Sequence, residues 1–313
     1  MRVVLAGGSG YLGRALAGHL KALGHQVQTL TREPRPGQAN DIVWTPEGGA
    51  SASWAGFLEG ADAVVNLAGE GIADARWTAA RKTALRRSRV LATRSLVAAI
   101  ASCRTCPAVF VSGSAVGYYG ARDDEPVAEN APAGSDFLAQ LCVDWEREAT
   151  IAEAVTRVAV VRTGLVLSSG GGALAKMLLP FRLGLGATLG SGDQFMPWIH
   201  VKDWTSLVTW LITNARAQGA FNGTAPEPVT NADFTHILGR ALHRPAILRA
   251  PGFVLKAAMG EMSEMLLTGQ RVVPAKAEHM GFRFQFRELE PALRELLHTR
   301  ATGSRLQPPG TSA

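Results

Sequence analysis

The first 23 residues constrain the fold more than any other part of the chain. Residues 2–6 form a short apolar run typical of a buried parallel strand. Residues 11–23 have the apolar periodicity of a helix, and glycines follow the strand at positions 7, 10 and 13, the last of them within the first turn of that helix. This spacing lets the turn tighten and brings the backbone close to a pyrophosphate at the helix N-terminus. The segment therefore predicts a βαβ unit that binds a dinucleotide, with contacts from Gly7, Ser9, Gly10, Tyr11, Leu12 and Gly13.

The rest of the chain extends this unit into a larger α/β fold. Further strands are predicted near 26–30, 61–67, 108–111 and 157–161, with helices between them at about 77–102 and 135–154. This alternation predicts a Rossmann-type, doubly wound parallel sheet followed by a smaller C-terminal substrate lobe. The expected division is a Rossmann domain over 1–164, a partly interleaved substrate lobe over 165–249, a small C-terminal domain over 250–298, and a disordered tail over 299–313.

Composition excludes several classes of protein. The 32 Lys and Arg against 26 Asp and Glu give a net charge of +6, a mild excess that suits an anionic cofactor but is too diffuse for nucleic acid. No apolar run reaches the ~18 residues of a membrane span, and the N-terminus lacks a secretory signal, so we expect a cytoplasmic protein. Three cysteines make no disulfide framework, and Cys103 and Cys106 lack the second ligand pair of a zinc site, so no metal is expected.

The end of the second predicted strand bears on the choice of cofactor. It reads Thr31-Arg32-Glu33. An NAD enzyme usually has an acidic residue here for the ribose hydroxyls, whereas an arginine pairs with a 2′-phosphate. Because Arg32 comes first after the strand, we expect NADP(H), with contacts from Thr31 and Arg32. Glu33 keeps NAD as an alternative, and so does the possibility that Arg32 is a solvated surface charge.

Several longer motifs resemble a known family. The glycine loop and the Asn66–Glu70 segment are similar to extended short-chain dehydrogenases/reductases. The segments 162–167, 179–184, 197–203 and 222–226 resemble the NAD-dependent epimerase/dehydratase family, in its group of atypical "epimerase family proteins". The segment from about residue 250, which includes 267–272, resembles that group's small C-terminal domain of unknown function. The resemblance implies cofactor contacts from Leu67, Ala68, Gly69, Arg89, Thr163 and Gly164.

The catalytic residues usual in that superfamily are incomplete. Its dehydrogenases use a Ser or Thr after a central strand and a helical Tyr-x-x-x-Lys, in which the ammonium lowers the pKa of the phenol. Ser114 fits the serine, but Phe137 and Leu141 stand at the Tyr and Lys positions. The three tyrosines, at positions 11, 118 and 119, have no lysine four residues later. The standard proton relay is therefore absent.

Several other side chains are candidates to replace this relay. Tyr119 or its neighbour Tyr118 could supply a displaced phenol, unless these rings only pack. His200 is a candidate acid–base group, although a histidine in an apolar setting is more often structural. The remaining polar candidates on the lobe are Lys176, Gln194 and Asp203, the last of which is expected to cap the helix that it starts.

Two functions from different classes remain open at this point. The first is an NADP(H)-dependent oxidoreductase or isomerase that acts on a small polar or sugar-like substrate, since hydride chemistry belongs to the cofactor. The second is an NADP(H)-binding sensor or scaffold without turnover, which the missing Tyr and Lys favour. A sugar-nucleotide epimerase is weaker because such enzymes rely on the same tyrosine. The expected partner is an unknown small molecule, without nucleic acid or membrane, and the protein is expected to be a monomer or homodimer.

Overall fold

A parallel sheet runs through the middle of the computed structural model, which describes residues 1–303. The strands, in chain order, are β1 (Arg2–Ala6), β2 (Gln26–Thr31), β3 (Asp41–Val43), β4 (Ala63–Asn66), β5 (Val109–Ala115), β6 (Pro126–Val127), β7 (Arg157–Thr163), β8 (Leu165–Leu167), β9 (Ala187–Leu189), β10 (Phe195–Met196), β11 (Trp198–His200), β12 (Gly219–Gly223), β13 (Val229–Thr230), β14 (Leu248–Ala250) and β15 (Arg271–Val272).

Helices connect these strands and cover the sheet. In chain order they are α1 (Tyr11–Ala22), α2 (Ala52–Ala55), α3 (Ala79–Ser102), α4 (Phe137–Thr150), α5 (Gly172–Arg182), α6 (Val201–Thr213), α7 (Asn231–Ala241), α8 (Gly252–Met259), α9 (Glu264–Leu267), α10 (Ala275–His279) and α11 (Leu289–Gly303). Single 3₁₀ turns lie at Gly56–Leu58, Val116–Tyr119, Ile151–Ala154 and Gly260–Ser263. Among the helices of residues 1–303, none combines the length and apolar character that a membrane crossing requires.

The central sheet has the strand order β12-β7-β5-β4-β1-β2-β3, and every pairing in it is parallel. The order reverses at β1, because β2 and β3 lie on one side of it and β4, β5 and β7 on the other. Ligands of open α/β sheets bind outside the carboxyl ends of the strands at such a switch point. The predicted Rossmann-type sheet is confirmed, and the glycine loop lies at its switch point.

Alternate residues of each central strand supply two separate cores. Val3 and Leu5 of β1 face a cluster with α1 and α6, whereas Val4 and Ala6 face a cluster with α3 and α4. Period-two alternation in a strand buried on both faces produces this division. The two layers of helices fix the carboxyl edge of the sheet, where the candidate site is formed.

A third core lies in the C-terminal lobe. It combines Leu174 and Leu178 of α5, Phe234 and Leu238 of α7, and Leu293 of α11. Residues from the predicted substrate lobe and from the predicted C-terminal domain thus share one apolar cluster. Strand β12, from the stretch predicted as the substrate lobe, pairs with β7 in the central sheet.

The end of the chain departs from the expected pattern. The amphipathic pattern predicts a last helix over about 287–297, whereas α11 begins at Leu289 and continues to Gly303. Of the predicted disordered tail over 299–313, residues 304–313 lie outside the part of the chain that the structure describes.

Candidate functional site

The glycine loop is shaped by close approaches of the backbone. Gly7 has φ +77°, and a Cβ on it would lie 2.6 Å from the carbonyl carbon of Leu67 in the loop after β4. A Cβ on Gly13 would lie 2.3 Å from the carbonyl oxygen of Gly7. Only glycine fits at these two positions, because a side chain would push the β1 and β4 loops apart or lift α1 from the strand.

The N-terminus of α1 is free to receive an anion. Gly10 is its N-cap and provides no side-chain hydrogen bond to the first turn, which also contains no acidic residue. The first amide N–H groups of a helix have no partner within the helix and carry the positive end of its dipole. The predicted pyrophosphate position therefore has the donors and the electrostatics that it needs.

The end of β2 presents one arginine without a partner. The buried hydroxyl of Thr31 lies 3.4 Å from the Ser9 hydroxyl, which fixes the strand end beside the glycine loop. Arg35 is engaged by Asp41 at 2.6 Å. Arg32 is exposed, and within residues 1–303 no hydrogen bond or ion pair holds its guanidinium. Arg32 is thus the cation at this edge that is available to a ligand.

Two side chains, those of Asn66 and Arg89, hold the loop after β4 in place. Asn66 donates to the Thr93 hydroxyl at 2.8 Å and accepts from the Ala68 amide at 3.1 Å. Arg89 donates to the Glu70 carbonyl at 2.9 Å, and a Cβ on Gly69 would lie 3.1 Å from its guanidinium carbon. Burial lowers the pKa of Arg89. Arg89 therefore supports the loop from the protein side, while Leu67, Ala68 and Gly69 form its surface.

Ser114 belongs to a buried polar network at the end of β5. Its hydroxyl donates to the carboxylate of Glu146 on α4 at 2.6 Å. Arg162, on the neighbouring strand β7, donates twice to the same carboxylate, each time at 2.8 Å. Burial opposes the charge of Arg162, but the hydrogen bonds to Glu146 outweigh it and raise the pKa of this guanidinium. The network places the Glu146 carboxylate directly beside the Ser114 hydroxyl and holds it there through Arg162.

Tyr119 lies in the same network but is fully enclosed. Its hydroxyl donates to the side-chain oxygen of Asn222 at 2.7 Å and accepts from Arg162 at 2.9 Å. Burial raises the pKa of Tyr119 to about 12. The neighbouring Tyr118 ring lies 3.4 Å from the guanidinium carbon of Arg162 in a cation–π contact. Both phenols hold Arg162 in place, and Tyr119 is a poor proton donor or acceptor near neutral pH.

The two positions of the missing relay are apolar contacts. Phe137, the first residue of α4, packs edge-on against Trp77 with ring centroids 5.3 Å apart. Leu141 is buried on the same helix. Neither side chain can donate or accept a proton, so the usual relay has no counterpart at these two positions.

Thr163 and Gly164 lie at the end of β7, beside Ala115 of β5. The Thr163 hydroxyl accepts from the Trp204 indole at 3.1 Å, and a Cβ on Gly164 would lie 2.3 Å from the Pro197 carbonyl oxygen. These contacts bring the start of the lobe against the carboxyl edge of the sheet. The start of α5 approaches the glycine loop after β1, because Cβ atoms on Gly171 and Gly172 would contact the Tyr11 ring.

The structure does not bring His200 into contact with Ser114. Its ring is fully buried, stacks on Phe286 at 4.0 Å, and lies 2.9 Å from a Glu295 carboxylate oxygen. Its other nitrogen accepts from the Lys202 amide at 3.0 Å, so His200 caps α6. Burial lowers the pKa of His200. These contacts connect the start of α6 with α11 and with the segment just before α11.

The other polar candidates of the lobe are also engaged in packing. The expectation that Asp203 caps α6 is wrong, because its carboxylate accepts from the Gln285 and Phe286 amides at 2.8 Å. Gln194 donates to the carbonyls of Leu189 and Leu266 at 3.0 and 2.7 Å. Lys176 is exposed and lies 3.8 Å from Asp74.

Comparison with known proteins decides the family. The sequence profile of the NAD dependent epimerase/dehydratase family matches residues 3–222. The chain belongs to this family. A second profile, a domain of unknown function named DUF1731, matches residues 250–296, where the sequence indicated a separate C-terminal unit.

Relatives in this family match almost the whole chain. An epimerase family protein of Mycobacterium bovis is 44% identical over 293 residues, which is 93% of this chain and 96% of that protein. The crystal structure of the human epimerase family protein SDR39U1 with NADPH is 39% identical, with a TM-score of 0.89 over 95% of this chain and 99% of that one. A nucleoside-diphosphate sugar epimerase structure from Corynebacterium glutamicum is 32% identical, with a TM-score of 0.77 over 99% and 62% of the two chains.

Sequence reasoning about this family member missed Glu146, although it found Ser114. Arg162 and Asn222 were noticed only as parts of family motifs, and no role was predicted for them. A charged residue at the end of a buried strand, as Arg162 is, signals a buried partner because an unpaired interior charge is costly. The partner itself could not be read from the sequence, since Glu146 lies on a helix with several other acidic residues.

Proposed function

We propose that this chain binds NADP(H) at the switch point of its sheet. The pyrophosphate lies over the N-terminus of α1, where the uncapped amides and the glycine cradle fit it. The adenosine 2′-phosphate pairs with Arg32, and the loop of Leu67, Ala68 and Gly69 borders the adenine and ribose. The crystallisation of the human relative with NADPH, at a TM-score of 0.89, supports this proposal.

We further propose that the protein is an oxidoreductase or isomerase acting on a small polar or sugar-like molecule. When bound, the nicotinamide supplies or accepts a hydride. The protein must then move one proton at the substrate oxygen. Ser114 can pass that proton between the substrate oxygen and Glu146, since its hydroxyl already lies 2.6 Å from the carboxylate. This hydrogen bond is the observation that carries the proposal.

Arg162 has a positioning role in this scheme. It holds both oxygens of Glu146 and so orients the carboxylate toward Ser114. Tyr118 and Tyr119 fix the guanidinium in turn. The proton relay of Ser114 and Glu146, held in place by Arg162, takes the place of the helical Tyr and Lys that this chain lacks.

An NADP(H)-binding sensor or scaffold is the second candidate. Phe137 and Leu141 favour it, because neither side chain can exchange a proton or hold the ribose hydroxyls. The two candidates share the cofactor and differ in turnover.

The choice of cofactor is tested by reversing the charge at Arg32. We expect Arg32→Asp to weaken NADPH binding by at least about 30-fold, because a charge-assisted pair with the 2′-phosphate is lost and a repulsion is introduced. NADH, which has no 2′-phosphate, should bind the variant as it binds the parent. Isothermal titration with each dinucleotide measures both affinities. Arg216→Asp, at an exposed arginine after α6, is the control for net charge, and equal affinities in the parent would contradict the assignment.

The proton relay is tested by removing its members one at a time. We expect Ser114→Ala and Glu146→Gln each to lower kcat by ~10²–10⁴-fold, the usual effect of losing one positioned acid–base group. NADPH affinity should be unchanged in both. Oxidation of NADPH is followed against a panel of aldehydes, ketones and keto-sugars, with Ser112→Ala as the control at another buried serine of β5. A parent that binds NADPH but turns over no member of the panel would instead support the sensor.

A further inference from the structure

Helix α8 is apolar and only partly covered: Met259 packs against the cluster of Trp77, Leu85 and Met262, whereas Phe253 and Val254 lie on an exposed side. Its sequence is Gly-Phe-Val-Leu-Lys-Ala-Ala-Met, with one charge in eight residues, and none of its residues is buried. Phe253 is 75% exposed and Val254 46%. Apolar helices of folded proteins normally bury one side against a partner, so this helix has an unoccupied side.

The exposed apolar surface continues beyond α8. Strand β14, which ends two residues before α8, pairs with β9, so that Leu248 lies beside Ala187. The turn that joins α5 to β9 lies close by, since a Cβ on Gly184 would be 3.9 Å from the Pro245 ring. We call this surface the α5–α8 face. Its exposed apolar side chains are Leu179, Leu183, Leu185, Ile247, Leu248, Phe253 and Val254.

The same surface carries an excess of positive charge, although the exposed Glu264 lies in the same concavity as Phe253 and Lys256. The stretches 172–192 and 234–260 contain no Asp or Glu, although the whole chain has 26 acidic residues. Four exposed cations of these stretches have no hydrogen-bond or ion-pair partner for their side chains within residues 1–303. They are Arg182, Arg244, Arg249 and Lys256.

We propose that the α5–α8 face docks on the surface of an anionic lipid bilayer. Exposed aliphatic and aromatic side chains enter the boundary between headgroups and acyl chains, while the cations meet anionic headgroups. A second copy of the chain is a poor occupant, because a twofold contact would set the same unpaired arginines against each other. An acidic protein is a poorer occupant than a bilayer. Besides the cations, the exposed hydrogen-bonding side chains of the two stretches are Ser191, His236 and His243, whereas protein interfaces carry about one hydrogen bond per 100–200 Å².

The proposal is tested by sedimenting the full chain with two kinds of vesicle, one of phosphatidylcholine alone and one of equal parts phosphatidylcholine and phosphatidylglycerol. We expect binding to the anionic vesicles that weakens as salt is raised. Each cation near an anionic surface contributes a factor of about five, so Arg244→Glu with Arg249→Glu should lower the partition coefficient by at least about 30-fold. Ile247→Ser with Phe253→Ser should lower it by at least about tenfold for each residue.

Matched variants elsewhere control for charge and hydrophobicity. Arg87→Glu with Arg216→Glu makes the same change of net charge at exposed arginines outside the face. Ile151→Ser with Val155→Ser removes two exposed apolar side chains after α4. Both should bind vesicles as the parent does, and unfolding temperatures confirm that all variants are folded.

Several outcomes would overturn the proposal. These are no binding to anionic vesicles, equal binding to both kinds of vesicle, and equal losses in the control variants. A dimer in sedimentation equilibrium that the Ile247 and Phe253 replacements dissociate would assign the face to a second copy. Binding of NADPH is measured alongside, so that a failure of lipid binding is distinguished from a failure of the proposed function.

Discussion

Replacing Gly10 by valine is expected to abolish NADP(H) binding and to leave the fold intact. Gly10 has φ −69° and ψ 170°, a conformation open to any residue, and a Cβ on it would meet only the Gly7 carbonyl oxygen, at 3.2 Å. The valine would however stand at the N-cap of α1, over the amides that should hold the pyrophosphate. We expect a loss of affinity of at least about 100-fold, or about 2.7 kcal/mol.

Thermal stabilisation by NADPH and direct titration measure this loss. Gly18→Val is the matched control, because Gly18 lies on the same helix with open space around its Cβ position. It should bind NADPH like the parent. Gly13→Val is unsuitable as a test, since its Cβ would lie 2.3 Å from the Gly7 carbonyl oxygen and the fold itself would suffer. If NADPH stabilises Gly10→Val as much as the parent, the loop has been misassigned.

The Rossmann half was predictable because each of its signals is local. β1 alternates between two cores, and the three glycines follow it directly. Helix α3 was expected from about residue 77 and begins at Ala79, since the Thr78 hydroxyl accepts from the Arg81 amide and caps it. The carboxyl ends of parallel strands meet at one edge, so the spatial grouping of the glycine loop, Arg32 and the Asn66–Glu70 loop also followed from the sequence.

The lobe was less predictable because its elements do not follow a simple period. Helix α5 starts among glycines and contains Pro180, both of which are signals of a turn. Helix α8 has no polar face to reveal its period. His200 looked like a candidate acid–base group from its motif, but only the structure shows Phe286 stacked on its ring and Glu295 at its nitrogen.

For a related reason, the sequence could not predict the candidate relay of Ser114 and Glu146. Ser114 and Glu146 are separated by 32 residues, and the register that brings them together depends on how α4 packs on β5 and β7. Residue type made Tyr119 or Tyr118 a candidate for a displaced phenol, but the Tyr119 hydroxyl is buried between Asn222 and Arg162 and burial raises its pKa to about 12. The sequence could establish that the usual relay was missing, but it could not identify the replacement.

The Arg162→Met variant is expected to lose about 3–5 kcal/mol of folding free energy, the usual cost of removing one partner of a buried ion pair. Arg162 is 4% exposed and bonds Glu146, the Tyr119 hydroxyl and the Glu129 carbonyl. Without it, the Glu146 carboxylate would stay largely buried, and the Ser114 hydroxyl would be its one remaining hydrogen-bond donor within residues 1–303. Urea unfolding at neutral pH measures the difference, with Arg240→Met, in an exposed pair with Glu290, as a control that should change by less than about 1 kcal/mol.

A second replacement distinguishes lost charge pairing from lost packing. If the cost of Arg162→Met comes from an uncompensated carboxylate, then removing that carboxylate as well should restore part of the stability. We therefore expect Arg162→Met with Glu146→Leu to be more stable than Arg162→Met alone, by about 1 kcal/mol or more. Additive losses in the double variant would mean that Arg162 stabilises the fold through its contacts with Tyr118 and Tyr119, and that it does not serve to hold Glu146 behind Ser114.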